Sequence, residues 1–279
     1  MGDKMTIRFL GTGAAEGIPA PFCRCTVCEN ARKVGGKEIR MRMGVLIDNT
    51  LLIDFSPDAF AQAVHFGADY TALQALCVTH THSDHFAVDD LVQRCPCNAK
   101  NRTVSCMRVL GSEEMARKLR AAIYDDEAAK SLSVEVIRSG ESIPVGDYRV
   151  TAMKSIHMEN EESLIYLFSK GDTHYLHACD SAELLPEVFD FLKQQHIHLA
   201  GVTLDCTFGL LDEQFYGHMN YKQDLQMKRR LEEIGAADDE TCFILTHISH
   251  FCRNTHEQLK NRAEQDGFMV AWDGMSVRL

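Results

Sequence analysis

The sequence predicts one α/β domain in which mixed sheets are covered by helices. Short apolar runs alternate with amphipathic segments along the whole chain, and no linker, repeat or low-complexity stretch interrupts them. The length of 279 residues suits one large domain. We therefore predict a single domain over residues 1–279.

The first half of the chain begins with a strand over Met5–Leu10 and a turn at Gly11-Thr12-Gly13. A hairpin is predicted around Asn49-Thr50, because strand-forming runs flank this turn-forming pair. The elements predicted from there to residue 122 are the hairpin strands Gly44–Asp48 and Leu51–Asp54, a helix over Pro57–Phe66, a strand over Ala75–Val78, and helices over Phe86–Gln93 and Ser112–Ala122. Ser112 is a suitable N-cap for the last of these helices.

From Val134 onwards the pattern is richer in strands, and longer amphipathic segments separate them. The predicted strands are Val134–Ile137, Tyr148–Met153, Leu164–Phe168, His174–Leu176, Ala200–Asp205, Cys242–Leu245, Met269–Trp272 and Ser276–Arg278. The predicted helices are Ala182–Gln194, Tyr221–Ile234 and Thr255–Gln265.

The charge balance limits the classes of partner. With 29 basic and 40 acidic residues the formal net charge is −11, which disfavours a broad nucleic-acid surface. A small anionic substrate stays compatible, because bound metal cations change the sign of the local field. No apolar run approaches the ~18 residues of a membrane span, and no signal peptide is evident. Eleven cysteines without such a signal indicate a cytoplasmic protein whose thiols bind metal or lie in the core.

The most informative segment is His80-Thr81-His82-Ser83-Asp84-His85, directly after an apolar run. Imidazole and carboxylate together suit Zn²⁺, Mn²⁺ or Fe²⁺. Four such groups exceed what one catalytic ion needs, because a catalytic site keeps a position open for water. The segment therefore predicts two neighbouring metals. A polar surface loop rich in histidine is the alternative.

Further candidate ligands follow predicted strands, where a rigid scaffold can direct several side chains at one point. They are Asp54, His157, Asp180, Asp205 and His247. A lone aspartate at a strand end is commonly a turn former. The whole series in this order, around the histidine-rich segment, instead indicates a metal centre.

Taken together, Asp54, His80-x-His82-x-Asp84-His85, His157, Asp180 and His247 resemble the metallo-β-lactamase superfamily. The resemblance spans nearly the whole chain and implies an αββα sandwich with the metals at one edge. It implies one metal held by His80, His82 and His157, a second held by Asp84, His85 and His247, and a bridging Asp180. Asp54 and Asp205 are expected behind these ligands, where they would orient them.

A second cluster, Cys23-Arg24-Cys25-Thr26-Val27-Cys28, offers three thiolates close together. Three cysteines and one further ligand make a closed tetrahedral zinc site, and His250 is the candidate for the fourth position. Three unliganded thiols in a loop are the alternative. If the loop after Leu245 is irregular, His247 can face the active site while His250 faces the structural zinc.

These features narrow the resemblance. Gly11–Pro19, the cysteine cluster, Asp205-Cys206, Leu245–His250 and Asp273-Gly274-Met275 together resemble the cyclic-ribose phosphodiesterases of the bacterial phosphonate-degradation (carbon–phosphorus lyase) pathway. That family hydrolyses phosphodiesters, carries such a structural zinc and implies that His218 contacts the phosphate. A helix-cap or loop histidine is the alternative for His218. Gln93–Asp147 has no counterpart in that family, and Cys95-Pro96-Cys97 within it is interpreted as a loop with two free thiols.

The sequence and the resemblance predict a metal-dependent phosphodiesterase that cleaves a small phosphodiester, cyclic ones included, by attack of a metal-bridging hydroxide. Asp84 and His218 are the expected catalytic residues, and the cofactors are two active-site ions of zinc, manganese or iron and one structural zinc. The expected partner is the substrate alone, without an extended nucleic-acid or membrane surface, and a homodimer is compatible. The acidic residues Glu159, Glu161 and Glu162 follow His157 and are expected at the mouth of the site, where they would disfavour highly charged substrates.

Three alternatives remain open from the sequence. Lactone or thioester hydrolases of the same superfamily use similar ligands, and so do its tRNA-processing ribonucleases. The third is a non-catalytic metal-binding protein similar to the pyrroloquinoline-quinone biosynthesis relative. A metal count distinguishes this last class, because one zinc per chain suits the binding protein and three metals suit the enzyme.

Overall fold

Two β-sheets of seven strands each face one another within residues 4–213 and 216–279, the part of the chain that the computed structural model describes. The first sheet has the strand order β14-β1-β2-β3-β4-β5-β6. Its strands are β1 (Thr6–Gly11), β2 (Gly44–Ile47), β3 (Leu51–Ile53), β4 (Ala75–Cys77), β5 (Met107–Gly111), β6 (Leu132–Val136) and β14 (Ser276–Arg278). Strands β3 to β6 are parallel to one another, whereas β14, β1, β2 and β3 pair antiparallel.

The second sheet has the order β13-β12-β11-β10-β9-β8-β7. Its strands are β7 (Ser142–Val145), β8 (Tyr148–Lys154), β9 (Leu164–Lys170), β10 (Thr173–Ala178), β11 (Gly201–Asp205), β12 (Cys242–Thr246) and β13 (Phe268–Val270). Strands β10 to β13 are parallel, so β10, β11 and β12 end at the same edge of this sheet.

The helices lie on the outer faces of the two sheets. They are α1 (Thr26–Val34), α2 (Ala59–Phe66), α3 (Val88–Leu91), α4 (Glu113–Ala122), α5 (Asp126–Ala129), α6 (Pro186–Gln194), α7 (Tyr221–Glu233) and α8 (His256–Ala263). On the first sheet, Leu119 of α4 packs in one cluster with Leu76 of β4. On the second sheet, Leu192 of α6 packs in one cluster with Leu204 of β11.

Between the sheets lies a core of fully buried aromatic and aliphatic side chains, including Phe9, Val45, Tyr166 and Phe168. Burying such side chains on both inner faces is the main stabilising contribution of the sandwich. The layers follow as helices, sheet, sheet and helices, so the predicted αββα fold is confirmed. The assignment of residues 1–279 to one domain stays a prediction.

Several elements differ from the sequence prediction. The helix predicted from Ala182 begins only at Pro186, where proline occupies the first helical turn and its missing N–H costs nothing. Helices α1 and α5 and strands β5 and β7 were not predicted. Strand β7 carries Pro144 at the edge of its sheet, which is a position where proline is tolerated.

Candidate metal centre

The histidine-rich segment forms a loop after β4 at the edge where the second sheet also ends its parallel strands. His80, Asp84 and His85 are buried, whereas His82 is exposed. This arrangement brings the loop against the residues that follow β10 and β12. The predicted ligands therefore converge from both sheets on one place.

The first ligand group consists of His80, His82, His157 and Asp180, whose ligand atoms lie within 4.8 Å of one another. His80 Nε2 lies 2.8 Å from His82 Nδ1 and 3.2 Å from Asp180 Oδ2. His82 Nδ1 lies 3.1 Å from His157 Nε2. Nitrogens about 2.05 Å from a tetrahedral Zn²⁺ would be about 3.3 Å apart, so these spacings fit one ion.

The second group consists of Asp84, His85, His247 and Asp180, and all four residues are buried. His85 Nε2 lies 2.8 Å from Asp180 Oδ2 and 3.2 Å from Asp84 Oδ2. His247 Nε2 lies 3.7 Å from the same Asp180 oxygen. Asp180 therefore faces both groups, which is the position expected of a bridging carboxylate.

Buried atoms without partners support the fit to metal ions. His247 Nε2 is buried without a hydrogen-bond partner in the described part of the chain, and the close contacts of His85 Nε2 and Asp180 Oδ1 with neighbouring residues lack hydrogen-bond geometry. Leaving such atoms unsatisfied costs about 1–3 kcal/mol each, and a coordinated cation would satisfy them. Burial, with the neighbouring His85 next in effect, lowers the pKa of His80, so its ring is neutral and able to coordinate.

Three residues of the centre have left-handed backbone conformations that non-glycine residues rarely adopt. Asp54, Asp180 and His247 have φ values of 60°, 54° and 58°. Each follows a strand, and the positive φ turns its side chain towards the centre. Such conformations cost of order 1–3 kcal/mol each and are common at functional sites.

Two carboxylates, those of Asp54 and Asp205, stand behind the proposed ligands. Asp54 Oδ2 lies 2.7 Å from His85 Nδ1, and Asp54 also accepts hydrogen bonds from the backbone and hydroxyl of Thr79. Asp205 Oδ2 lies 3.4 Å from His247 Nδ1. Thr207 Oγ1, which the sequence analysis missed, lies closer to that nitrogen, at 2.8 Å. These contacts fix the ring orientations of two proposed ligands.

His218 joins the centre from the segment before α7. Its Nδ1 lies 3.0 Å from Asp205 Oδ2 and 3.2 Å from Asp180 Oδ1, and its ring stacks on that of His247 at 5.4 Å. Burial opposes the charged ring, but Asp205 and then Asp180 outweigh it and raise the pKa of His218 to about 9. The structure thus brings His218 to the proposed metals.

Gly217 positions the histidine on the other side of the centre. Its carbonyl oxygen lies 3.1 Å from His157 Nδ1, so Nε2 of His157 is directed at the first ligand group. Gly217 has a φ of 80°, and a Cβ atom at this position would lie 2.9 Å from His157 Nδ1. Glycine is therefore required here both for the backbone conformation and for the close approach.

The ligand groups open onto a cleft of about 230 Å³. Besides the histidines and aspartates, its walls include Glu16, Phe208, Ser249 and Phe251. Glu16 accepts a short hydrogen bond from Ser249 and lies 3.6 Å from His250 Nε2. Glu16 belongs to the Gly11–Pro19 motif, but nothing in the residue types of that motif indicates that its side chain faces the cleft.

The acidic stretch after His157 does not occupy the place expected for it. The Thr81 backbone N–H donates to Glu161 Oε1 at 2.6 Å, and the Thr81 hydroxyl donates to Oε2 at 2.9 Å. Lys118 Nζ donates to the same hydroxyl at 2.7 Å. Glu162 accepts from the backbone of Ser139 at 3.2 Å. Glu161 and Glu162 thus bind neighbouring chain segments, and none of the three glutamates lines the metal-facing cleft.

The cysteine cluster forms a separate group with the predicted fourth residue. Cys23, Cys25, Cys28 and His250 have their ligand atoms within 4.8 Å of one another. His250 Nδ1 lies 3.6 Å from Cys23 Sγ and 3.5 Å from Cys25 Sγ. A tetrahedral Zn²⁺ with bonds of about 2.3 Å to sulfur and 2.05 Å to nitrogen would hold these atoms about 3.6 Å apart. The spacing therefore fits a structural zinc.

The thiols differ in their electrostatic environment. Burial raises the pKa of Cys28 to about 12. Burial also opposes ionisation of Cys25, but the Cys28 backbone and the His250 ring outweigh it and lower the pKa of Cys25 to about 7. The loop after β12 places His247 in the second ligand group and His250 in this cluster.

A comparison with protein families identifies the fold family. A family model described as "Beta-lactamase superfamily domain" matches residues 49–248. The chain belongs to this superfamily. The matched region of this superfamily member includes all the proposed active-site ligands but ends before His250 and excludes Cys23–Cys28. The superfamily predicted from the sequence is therefore confirmed.

Solved structures of low sequence identity share the superfamily fold over nearly the whole chain. A structure described as a new diphosphatase from the PhnP family has a TM-score of 0.76 and 22% identity, covering 100% of this chain and 98% of that chain. The metallo-β-lactamase fold protein YhfI from Bacillus subtilis has a TM-score of 0.73 and 17% identity, covering 99% and 100%. Zn²⁺-bound PqqB from Methylobacterium extorquens also has a TM-score of 0.73, with 18% identity and coverages of 98% and 100%. At these identities the likeness concerns the fold alone.

One curated protein is similar over a shorter stretch. An octanoyltransferase from Porphyromonas gingivalis is 37% identical over 89 residues, which are 31% of this chain and 18% of that protein. This chain therefore aligns with less than a fifth of its relative.

A search for membrane-spanning segments finds no helix, in the described part of the chain, that is both long and apolar enough to cross a bilayer.

Proposed function

We propose that this chain is a metal-dependent phosphodiesterase that hydrolyses a small phosphodiester. The observation that carries the proposal is the shared position of Asp180 between two groups of ligand atoms, with His218 beside it. Two divalent ions bound there would supply a water of lowered pKa and Lewis acidity towards the phosphodiester oxygens. His80, His82 and His157 would hold one ion, Asp84, His85 and His247 the other, and Asp180 both.

His218 is the residue best suited to act on the substrate directly. Its Nδ1 is engaged by Asp205, which leaves Nε2 to meet a substrate in the cleft. From Nε2 the ring would donate a hydrogen bond to a phosphoryl oxygen, or a proton to the leaving alkoxide. Thr207 lies 3.2 Å from His218 Nδ1 and would help to keep the ring in this orientation.

The size of the cleft and the charge of the chain support a small substrate. A volume of about 230 Å³ lies below the ~300–1,000 Å³ of ordinary ligand pockets. The net charge of −11 is unfavourable for a long polyanion such as structured RNA. We therefore favour a small diester, with cyclic ones included, over a tRNA-processing role.

A thioester hydrolase is the second candidate, because the curated relative with the 89-residue similarity is an octanoyltransferase. Acyl thioesters are the test compounds for this second candidate. Metal ions held by the same ligands would also polarise the carbonyl oxygen of a thioester. The presence of His218 beside the metal ligands favours the phosphodiester, whose leaving alkoxide needs a proton.

The test is a substrate comparison on protein of measured metal content. We expect about three metals per chain and turnover of bis-p-nitrophenyl phosphate and of cyclic nucleotides or cyclic ribose phosphates. A lactone and an octanoyl thioester form the second arm. His218→Gln should lower kcat for the diester while metal content is kept. Hydrolysis of the thioester without any diester turnover would overturn the proposal, and one zinc per chain without turnover would indicate a binding protein.

A further inference from the structure

The Cys95-Pro96-Cys97 motif lies after α3 in a turn that plays no part in the proposed hydrolysis. Neither cysteine lines the metal-facing cleft. The backbone N–H groups of Asn98 and Ala99 donate to the Cys95 carbonyl oxygen at 3.1 and 2.9 Å. Lys100 Nζ donates to the Pro96 carbonyl oxygen at 2.6 Å. These bonds fold the motif back on itself, so that both cysteine side chains face the same side.

The two sulfur atoms and one phenol form a cluster. Cys95 Sγ lies 2.7 Å from Cys97 Sγ and 2.7 Å from the Tyr124 hydroxyl, which also lies 3.4 Å from Cys97 Sγ. A disulfide bond is about 2.05 Å long, so the sulfurs need only a small movement to bond. Cys95 is 1% exposed, whereas Cys97 is exposed to solvent.

We propose that Cys95 and Cys97 are a reversible dithiol–disulfide pair that exchanges with a small, negatively charged disulfide of the glutathione type. The exposed Cys97 meets the incoming disulfide, and the buried Cys95 completes the bond. The exposed Lys100 beside the motif provides positive charge that attracts an anionic partner.

The exchange balances without any further reagent. The Cys97 thiolate attacks one sulfur of the small disulfide, forms a mixed disulfide and releases the first small thiolate. Cys95 then loses its proton to that thiolate and attacks Cys97 Sγ. The second small thiolate leaves and takes a proton from water. Two protein thiols are oxidised by two electrons, and one small disulfide is reduced to two thiols.

The surroundings of Cys95 favour its reactive form. In the reduced pair the hydrogen bond from Cys97, followed by that from Tyr124, lowers the pKa of Cys95, and the Tyr124 bond is the one that remains once Cys97 is in the mixed disulfide. The exposed Cys106 provides an internal comparison in the same part of the chain, because it is a free thiol outside the Cys95-Pro96-Cys97 motif. An isolated exposed thiol would stop at the mixed disulfide.

The test uses the full chain in buffers of reduced and oxidised glutathione, followed by acid quenching, blocking of free thiols and trypsin digestion. Cleavage after Arg94 and Lys100 isolates a peptide with both cysteines of the motif. We expect this peptide to lose two hydrogens as the buffer becomes oxidising. In Cys95→Ser we expect glutathione to remain on Cys97, and in Cys97→Ser we expect Cys95 to remain a free thiol.

Tyr124→Phe, which changes an exposed side chain, tests the same mechanism without removing a sulfur. It should lengthen the lifetime of the mixed disulfide several-fold and leave the melting temperature unchanged. Cys106→Ser is the matched control and should leave the motif peptide unaffected. Recovery of wild-type peptide with glutathione on Cys97 and no internal disulfide would overturn the proposal. Recovery of both thiols unmodified, while Cys106 carries glutathione, would also overturn it.

Discussion

The contact between Glu161 and Thr81 leads to a sharp prediction, because it ties together the two loops that carry the first group of ligands. Thr81 lies between His80 and His82, and Glu161 lies four residues after His157. We expect Glu161→Ala to weaken the binding of the proposed ion held by the first ligand group. The other proposed ion should be less affected, because the three histidines of the first group all belong to the two connected loops.

The magnitude follows from the two hydrogen bonds. Bonds to a charged group contribute about 1.5–3 kcal/mol each, which sets an upper range of about 3–6 kcal/mol. Glu161 is only half-buried, and Lys118 still holds the Thr81 carbonyl and hydroxyl in the variant. We therefore expect about 1.4–2.8 kcal/mol, a 10- to 100-fold loss of metal affinity, as is typical for residues that support ligands.

The assay is equilibrium competition with a chelator, which measures metal affinity independently of turnover. Glu159→Ala is the matched control, since Glu159 is exposed and adjacent in sequence. Glu161→Gln keeps one acceptor and should give an intermediate loss. Equal affinities in the Glu161→Ala and Glu159→Ala proteins would refute the reasoning. An equally large fall in the unfolding free energy of the metal-free protein would also refute it, because the effect would then be on the fold and not on the ligands.

Three further predictions concern other parts of the molecule. Asp84→Ala should abolish hydrolysis and release one metal while the circular dichroism of the fold is kept; near-normal turnover would contradict a two-metal site. Cys25→Ser should release one zinc and lower the melting temperature, because a closed site contributes to folding, and full zinc content would argue for mere thiols. Burial, and after it the charge of Arg40, lowers the pKa of His256 to about 3. The neutral ring therefore stabilises the fold above pH ~6.5, and below that value the free energy of unfolding should fall by up to about 1 kcal/mol for each pH unit. His256→Gln should reduce the slope of unfolding free energy against pH on the acid side. An unchanged slope would exclude His256 as its source.

The fold and the proposed ligands could be predicted where the residue types of a segment and its place after an apolar strand indicate the same role. Asp180 and His247 follow apolar strands, and β10 and β12 run parallel on either side of β11, so both residues lie at the same edge of the sheet. Their roles as ligands were implied by the resemblance to the superfamily. The loop His80–His85 carried its own signal, because its residue types are metal ligands. His250 could be separated from His247 only by assuming an irregular loop, and the backbone there does turn through a left-handed residue.

Prediction was weaker where residues had no local pattern. Helix α1 was not predicted, because the spacing of Cys23, Cys25 and Cys28 indicates a metal-binding loop and overlaps the start of the amphipathic segment Thr26–Val34. Within that segment Val27 and Ala31 face the core. The strand Met107–Gly111 lies fully inside its sheet and lacks the alternation that marks a half-exposed strand. Neither failure affected the proposed ligands, since β5 contributes none and Cys28 of α1 was already identified by its spacing from Cys23 and Cys25.

The residues that hold the proposed ligands were the hardest to find, and the reason is physical. The contact of Glu161 with Thr81 joins residues 80 positions apart, and it depends on how two loops of opposite sheets meet. Glu159, Glu161 and Glu162 form the same acidic stretch whether they face a substrate or their own backbone. If Glu161 repelled the substrate, Glu161→Gln would raise kcat/KM at low salt, the gain would vanish as salt is added, and metal affinity would be unchanged. Because Glu161 binds a buried threonine between two proposed ligands, we instead expect Glu161→Gln to lower metal affinity at both low and high salt, and the geometry favours this second role.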